Sequence, residues 1–158
     1  MDMSIESCSR VTVYLRLALG IAFLSAVADR FGLWGAPGAK NVAWGNFDSF
    51  LAYTATLNFF LPSSLIPAIG WIATCAEISL GVLLIVGFRI RETAFISGVL
   101  LFLFATAMTT ALGVKVPLDY SVFSASAGAF LLAAQGKSPL SVDGLLSRKE
   151  APSDGIGR

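Results

Sequence analysis

Residues 93–114, TAFISGVLLFLFATAMTTALGV, contain no ionisable side chain. A helix of that length rises about 33 Å, enough to cross a hydrocarbon core of about 30 Å with its backbone polar groups paired internally. The stretch reads as a membrane span. Working outward, three more stretches meet the same requirement. Residues 11–28 carry one charge, Arg16; residues 65–88 carry Glu77 before the closing turn; residues 116–135 carry Asp119 near their start and are otherwise small and apolar. Ser121, Ser124, Ser126 and Gly128 dilute the last of these, but such residues suit close contact between helices. The 158-residue chain agrees as a whole: 56% of it is hydrophobic and 13% charged, with a mean hydropathy of +0.77. A soluble domain is about 25% charged.

The length predicts one domain, residues 1–146, as an all-α four-transmembrane-helix bundle, with 147–158 as a disordered tail. The turn GFRIRE, 87–92, makes the second and third spans antiparallel neighbours, and the passage around Lys115 and Pro117 is as tight. The first connection, 29–64, is long and rich in Phe, Trp and Tyr. Asn46 and Asp48 are placed to cap a helix on which Phe50, Leu51, Thr54, Leu57 and Leu61 share a face. We expect an amphipathic interfacial helix there, with Trp34 and Trp44 in the aromatic belt; a solvent-facing loop with scattered aromatics is the alternative.

Basic residues set the expected orientation. Arg10, Arg89, Arg91, Lys137, Arg148, Lys149 and Arg158 fall on one side of four spans, and Arg30, Lys40 and Lys115 on the other. Both termini are expected in the cytoplasm, with the aromatic loop facing out. Arg10 and Arg16 ahead of an apolar run ending Ala26-Val27-Ala28 also resemble a signal peptide. Asp2 and Glu6 make a poor start for one, and the first span is retained.

The composition narrows the chemistry. The net charge of +1 gives no field to attract nucleic acid. The chain has no histidine, which removes His-based metal sites, bis-histidine haem and imidazole catalysis. Cys8 and Cys75 form no CxxC motif, and no metal site is expected. What remains is charge inside the bilayer, which on insertion scales costs about 2.5–3.5 kcal/mol and normally faces the bundle interior with a partner. Glu77 lies near the middle of its span. At 100° per residue, Gly70, Thr74, Glu77 and Gly81 form one narrow stripe, while Cys75 points elsewhere. Thr12, Arg16 and Gly20 share a face of the first span, with Arg16 about 8 Å below its start.

Arg16, Thr74 and Glu77 are therefore the candidate intramembrane polar site, and Arg16–Glu77 is the expected ion pair. The plainer alternatives are an Arg16 that snorkels to the headgroups and a Glu77 that is protonated or bonded to Thr74. Thr106, Thr110 and Gly113 on the third span, and Ser121, Ser124 and Gly128 on the fourth, are read as packing contacts. Asp29, Arg30, Lys115, Asp119 and Tyr120 should cluster at the outer surface, as surface ion pairs or as a pocket mouth.

The segments YLRLALGIAFL (14–24), ADRFGLWG (28–35), CAEISLGVLLIVGFRIR (75–91), FATAMTTALGVKVPLDYSVFSASAGAFLLA (104–133) and SVDGLL (141–146) together resemble the DoxX family across residues 10–146. The resemblance implies a four-helix integral membrane protein of the bacterial cytoplasmic membrane. Some members are subunits of thiosulfate:quinone oxidoreductase, so it also implies a membrane quinone as possible ligand and a redox subunit as possible partner. Of the family's pattern, only Arg16 and Glu77 carry over. Three functions follow as expectations: a quinone-interacting redox component, a non-catalytic anchor or assembly subunit, or a solute or proton carrier acting as a homo-oligomer.

Overall fold

The computed structural model describes residues 2–135 and 141–143. The expected tail at 147–158 lies outside the described residues. Within them the chain is all-helical: α1 (Asp2–Arg30), α2 (Phe47–Leu57), a 3-10 turn (Ser63–Leu65), α3 (Ile66–Val86), α4 (Ile90–Leu112), α5 (Lys115–Asp119) and α6 (Val122–Gln135). Three segments are long and apolar enough to cross a membrane, Arg10–Arg30, Ser63–Val86 and Ile90–Leu112. Only 22–33% of their most apolar windows is buried inside the protein. Their outward side chains, among them Ile72, Val82, Phe95, Ile96 and Leu103, thus present the apolar surface that acyl chains cover.

The fourth expected span is not one continuous helix. Pro117 has no N–H to give a helix interior and falls in the first turn of the short α5. Ser121 then takes a left-handed φ of 55°, ending α5 and starting α6, whose Ala125 N–H returns to the Ser121 carbonyl at 2.9 Å. The 14 residues of α6 rise about 21 Å, short of a full crossing on their own.

The helices pack as two main pairs, α1 on α3 and α4 on α6, around a core that includes Leu19, Phe23, Leu84, Ile90, Ala94 and Leu132. The α1 and α3 backbones approach closely at Gly20 and Gly81: a methyl group on Gly20 would lie 2.9 Å from the Gly81 carbonyl oxygen, and one on Gly81 3.1 Å from that of Gly20. Between α4 and α6, the Ser126 hydroxyl donates to the Gly98 carbonyl at 2.8 Å. The threonine face expected to pack there is exposed. Thr106 and Thr110 donate to the Phe102 and Thr106 carbonyls of their own helix, at 2.8 and 3.1 Å. With their hydroxyls satisfied locally they can face lipid, and Ala94, Ser97, Gly98 and Ala105 are buried instead. Ser121 and Ser124 are likewise exposed.

The long connection is built onto the bundle. Asn46 caps α2, its Oδ1 accepting from Ser49 N at 2.7 Å, and Phe50, Thr54 and Leu57 are buried against α3, α4 and α1. The apolar face read from the sequence is real, but it covers helices rather than lying on lipid. Trp34 is exposed, with its indole N–H on the Ser25 carbonyl at 3.1 Å.

At the opposite end, Gly87 closes α3 in the left-handed region, φ 71°, and the Gly87 and Phe88 N–H groups both return to the Leu83 carbonyl, at 2.9 and 3.1 Å. Asp143 sits on this turn. Its carboxylate accepts from Arg89 N and Ile90 N at 2.8 and 2.9 Å, and its own N–H donates to the Gly87 carbonyl at 3.2 Å. Nearby in the fold, the Thr12 hydroxyl donates to Gln135 Oε1 at 2.7 Å, tying α1 to α6.

Candidate functional site

Glu77 is buried, 1% exposed, as the stripe on α3 requires, and Thr74, Gly70 and Gly81 are buried with it. Its partner is Arg30. Nη2 of Arg30 donates to both carboxylate oxygens of Glu77, at 2.6 and 2.8 Å, while Nη1 donates to the Thr74 hydroxyl at 2.9 Å. That hydroxyl in turn donates to the Gly70 carbonyl at 2.8 Å, so the stripe presents an acceptor to the guanidinium.

The expected Arg16–Glu77 pair is therefore not formed. The register of the α1–α3 contact explains why. With Gly20 against Gly81 in an antiparallel pair, Glu77 is level with about residue 24 of α1. Arg16 lies about 12 Å back along the axis and Arg30 about 9 Å ahead, and the bend of the chain after Arg30 lets its side chain turn inward. Arg16 is equally buried, but its guanidinium packs beside Gly87 and Ser141 within the field of Asp143.

The connection forms a lid over the pair. The Phe50 ring lies under the guanidinium of Arg30, 3.9 Å from centroid to Cζ, with Trp44 at 5.4 Å. These faces attract a desolvated cation. Trp44 meets Phe50 edge-on at 5.3 Å, and Phe47 stacks outward on Trp71 and Phe31 at 4.6 and 5.8 Å. Asp29 holds the lid in place: its Oδ2 accepts from Ala43 N and Trp44 N, at 3.0 and 2.9 Å. Trp44, half-buried, is thus part of the lid.

The expected surface cluster is divided by this arrangement. Asp29 and Arg30 are 6% and 3% exposed and belong to the buried site. Lys115 and Asp119 pair with each other on the exposed surface of α5, and Tyr120 is exposed. Tyr120 lies close enough to Tyr53 to act with burial in raising the Tyr53 phenol above the ordinary tyrosine range, burial being the larger cause.

Among the described residues, two buried polar atoms of the site have no hydrogen-bond partner: Nε of Arg30, a donor, and Oδ1 of Asp29, an acceptor. Buried polar atoms are rarely left so. Among the described residues no three of His, Cys, Asp and Glu come together to hold a metal ion. The roles of Arg30, Asp29, Trp44 and Phe50 were not read from the sequence. The ADR triplet at the end of the first span was the available signal, since two charges there need partners once the chain folds back.

No family model, curated protein or solved structure matches the chain.

Proposed function

We propose that this chain is a redox-associated membrane subunit that binds a quinone at the Arg30–Thr74–Glu77 site and works with a partner redox subunit. The observation that carries the reading is the pair of unused atoms beside a buried carboxylate in an apolar bundle, Nε of Arg30 and Oδ1 of Asp29. By hydrogen-bonding type, a quinone carbonyl matches the first and a hydroquinone hydroxyl the second once the lid opens to admit it. Bound there, the quinone supplies the electron acceptor, taking two electrons from the partner and two protons. Arg30 orients a carbonyl. Each Glu77 oxygen keeps a lone pair beside its bond to Arg30 and can hold a proton. The aromatic lid excludes water.

The same reading takes α5 and α6 together as a fourth crossing of a DoxX-like bundle in a bacterial cytoplasmic membrane, with both termini cytoplasmic. The Thr12–Gln135 bond and the seat of Asp143 on the 87–90 turn support it, because they return the chain after α6 to the end where α1 begins.

The test is quinone content. Purified wild-type protein should retain about one quinone per chain, Glu77→Gln should lose it, and quinone-dependent electron transfer should fall with it. Wild-type protein that purifies without quinone, and whose unfolding midpoint does not move with a short-chain quinone, removes the proposal. A second reading, a non-catalytic assembly subunit, is favoured by one observation: both Glu77 oxygens are already engaged by Arg30. It predicts a stoichiometric partner co-purifying with a quinone-free chain.

A further inference from the structure

A groove of about 620 Å3 runs between α4 and α6, away from the ion pair. Arg91, Glu92, Phe95 and Ile96 line it from α4, facing Phe130 and Ala134 of α6. Its volume is in the range of small-molecule sites, but its make-up is lopsided. The body is apolar, walled by Phe95 and Phe130 edge to face at 5.7 Å. The charges stand at one end, in the first turn of α4.

Those charges do not cancel. Glu92 pairs with Arg89 at 3.7 Å, while Arg91 has no ion pair with any described residue and is exposed. The mouth is left with one guanidinium in excess. Two backbone donors at the start of α4, Arg89 N and Ile90 N, are occupied by Asp143, so recognition of an anion falls to Arg91. A guanidinium at the end of a membrane-crossing helix, with an apolar trough descending from it, matches an amphiphile with a negative headgroup.

The geometry points to a binding site for one anionic phospholipid, its phosphate on Arg91 and one acyl chain lying along the wall that Phe95 and Phe130 form together. The site is separate from the quinone reading and stands or falls without it. Phosphate engages the planar guanidinium through two parallel N–H bonds. A headgroup without a cation of its own leaves that phosphate's charge for Arg91 to neutralise, which favours an anionic over a zwitterionic lipid, and the chain fills the trough.

The experiment uses full-length protein, delipidated in detergent and incubated with phosphatidylglycerol or phosphatidylcholine of identical acyl chains, with retained lipid counted by native mass spectrometry. Wild-type protein should keep one phosphatidylglycerol and at least about tenfold less phosphatidylcholine. Arg91→Gln should bring phosphatidylglycerol down to the phosphatidylcholine level. Ala134→Trp, which fills the trough from an exposed position, should lower retention of both. Circular dichroism checks that each variant stays helical. Equal retention of the two lipids by wild-type protein overturns the proposal. So does phosphatidylglycerol retention unchanged by Arg91→Gln, or lipid retention unchanged by Ala134→Trp.

Discussion

Arg16 and Arg30 stand on the same helix, are buried to the same degree, 2% and 3% exposed, and have different surroundings. At the loop end, Arg30 meets a carboxylate from α3, a threonine hydroxyl and two aromatic faces, all drawn together by the connection that follows it. At the turn end, Arg16 lies beside Gly87 and Ser141 in the field of Asp143, whose carboxylate also accepts from backbone donors of the turn. The first arrangement is an ion pair sealed by aromatic side chains. In the second a guanidinium lies in the field of a carboxylate that also gathers the backbone donors of a turn. Residue type and depth are alike at both ends; the partners differ because the chain following each is different.

The largest expected effect breaks the loop end. Glu77→Ala leaves the Arg30 guanidinium buried without its carboxylate, a loss of about 3–5 kcal/mol. Replacing both partners by apolar side chains, Arg30→Met with Glu77→Leu, should recover most of it. Unfolding titrations in SDS measure both; a double variant as unstable as the single would mean that the loss comes from the missing pair and the contacts of Arg30 with the lid, not from a stranded charge. A smaller effect should come from the turn end. Asp143→Ala removes two bonds to N–H groups at the start of α4, worth about 0.5–2 kcal/mol by analogy with helix caps, and with them the anion whose field Arg16 feels, so the loss should exceed that of a cap alone. Faster hydrogen exchange at Arg89 and Ile90, with the loop end unchanged, is the expected signature.

The smallest effect concerns pH. Tyr53 packs against Trp44 of the lid at 6.0 Å, and its phenol is raised above the ordinary tyrosine value by burial and by Tyr120. A raised folded-state value means that its contribution is complete below pH of about 10 and is lost as pH climbs through the folded value. The loop end should therefore weaken first in alkali, followed by phenolate absorbance, and Tyr53→Phe should abolish that difference.

The three long helices and the burial of the Gly70–Thr74–Glu77–Gly81 stripe were legible because charge spacing and helical period act within one segment. So was the Thr12–Arg16–Gly20 face, all buried. The partner of Glu77 was not legible, because depth counted from a span's start says nothing about how two helices slide past one another. The threonines of α4 misled for a related reason: a hydroxyl that bonds its own helix gives no sign of which way the helix faces. The break at Ser121 depends on a single left-handed residue, and a serine there gives no hint of it.

The contact of Gly20 with Gly81 then has a reach beyond packing. It works as a vernier between two rods: with no methyl on either side, the crossing seats at one setting, and that setting selects which guanidinium the carboxylate receives. Sliding α1 by two helical turns, about 11 Å, would hand Glu77 from Arg30 toward Arg16 and unroof the site. The choice of ion-pair partner is thus made by two residues that carry no charge at all.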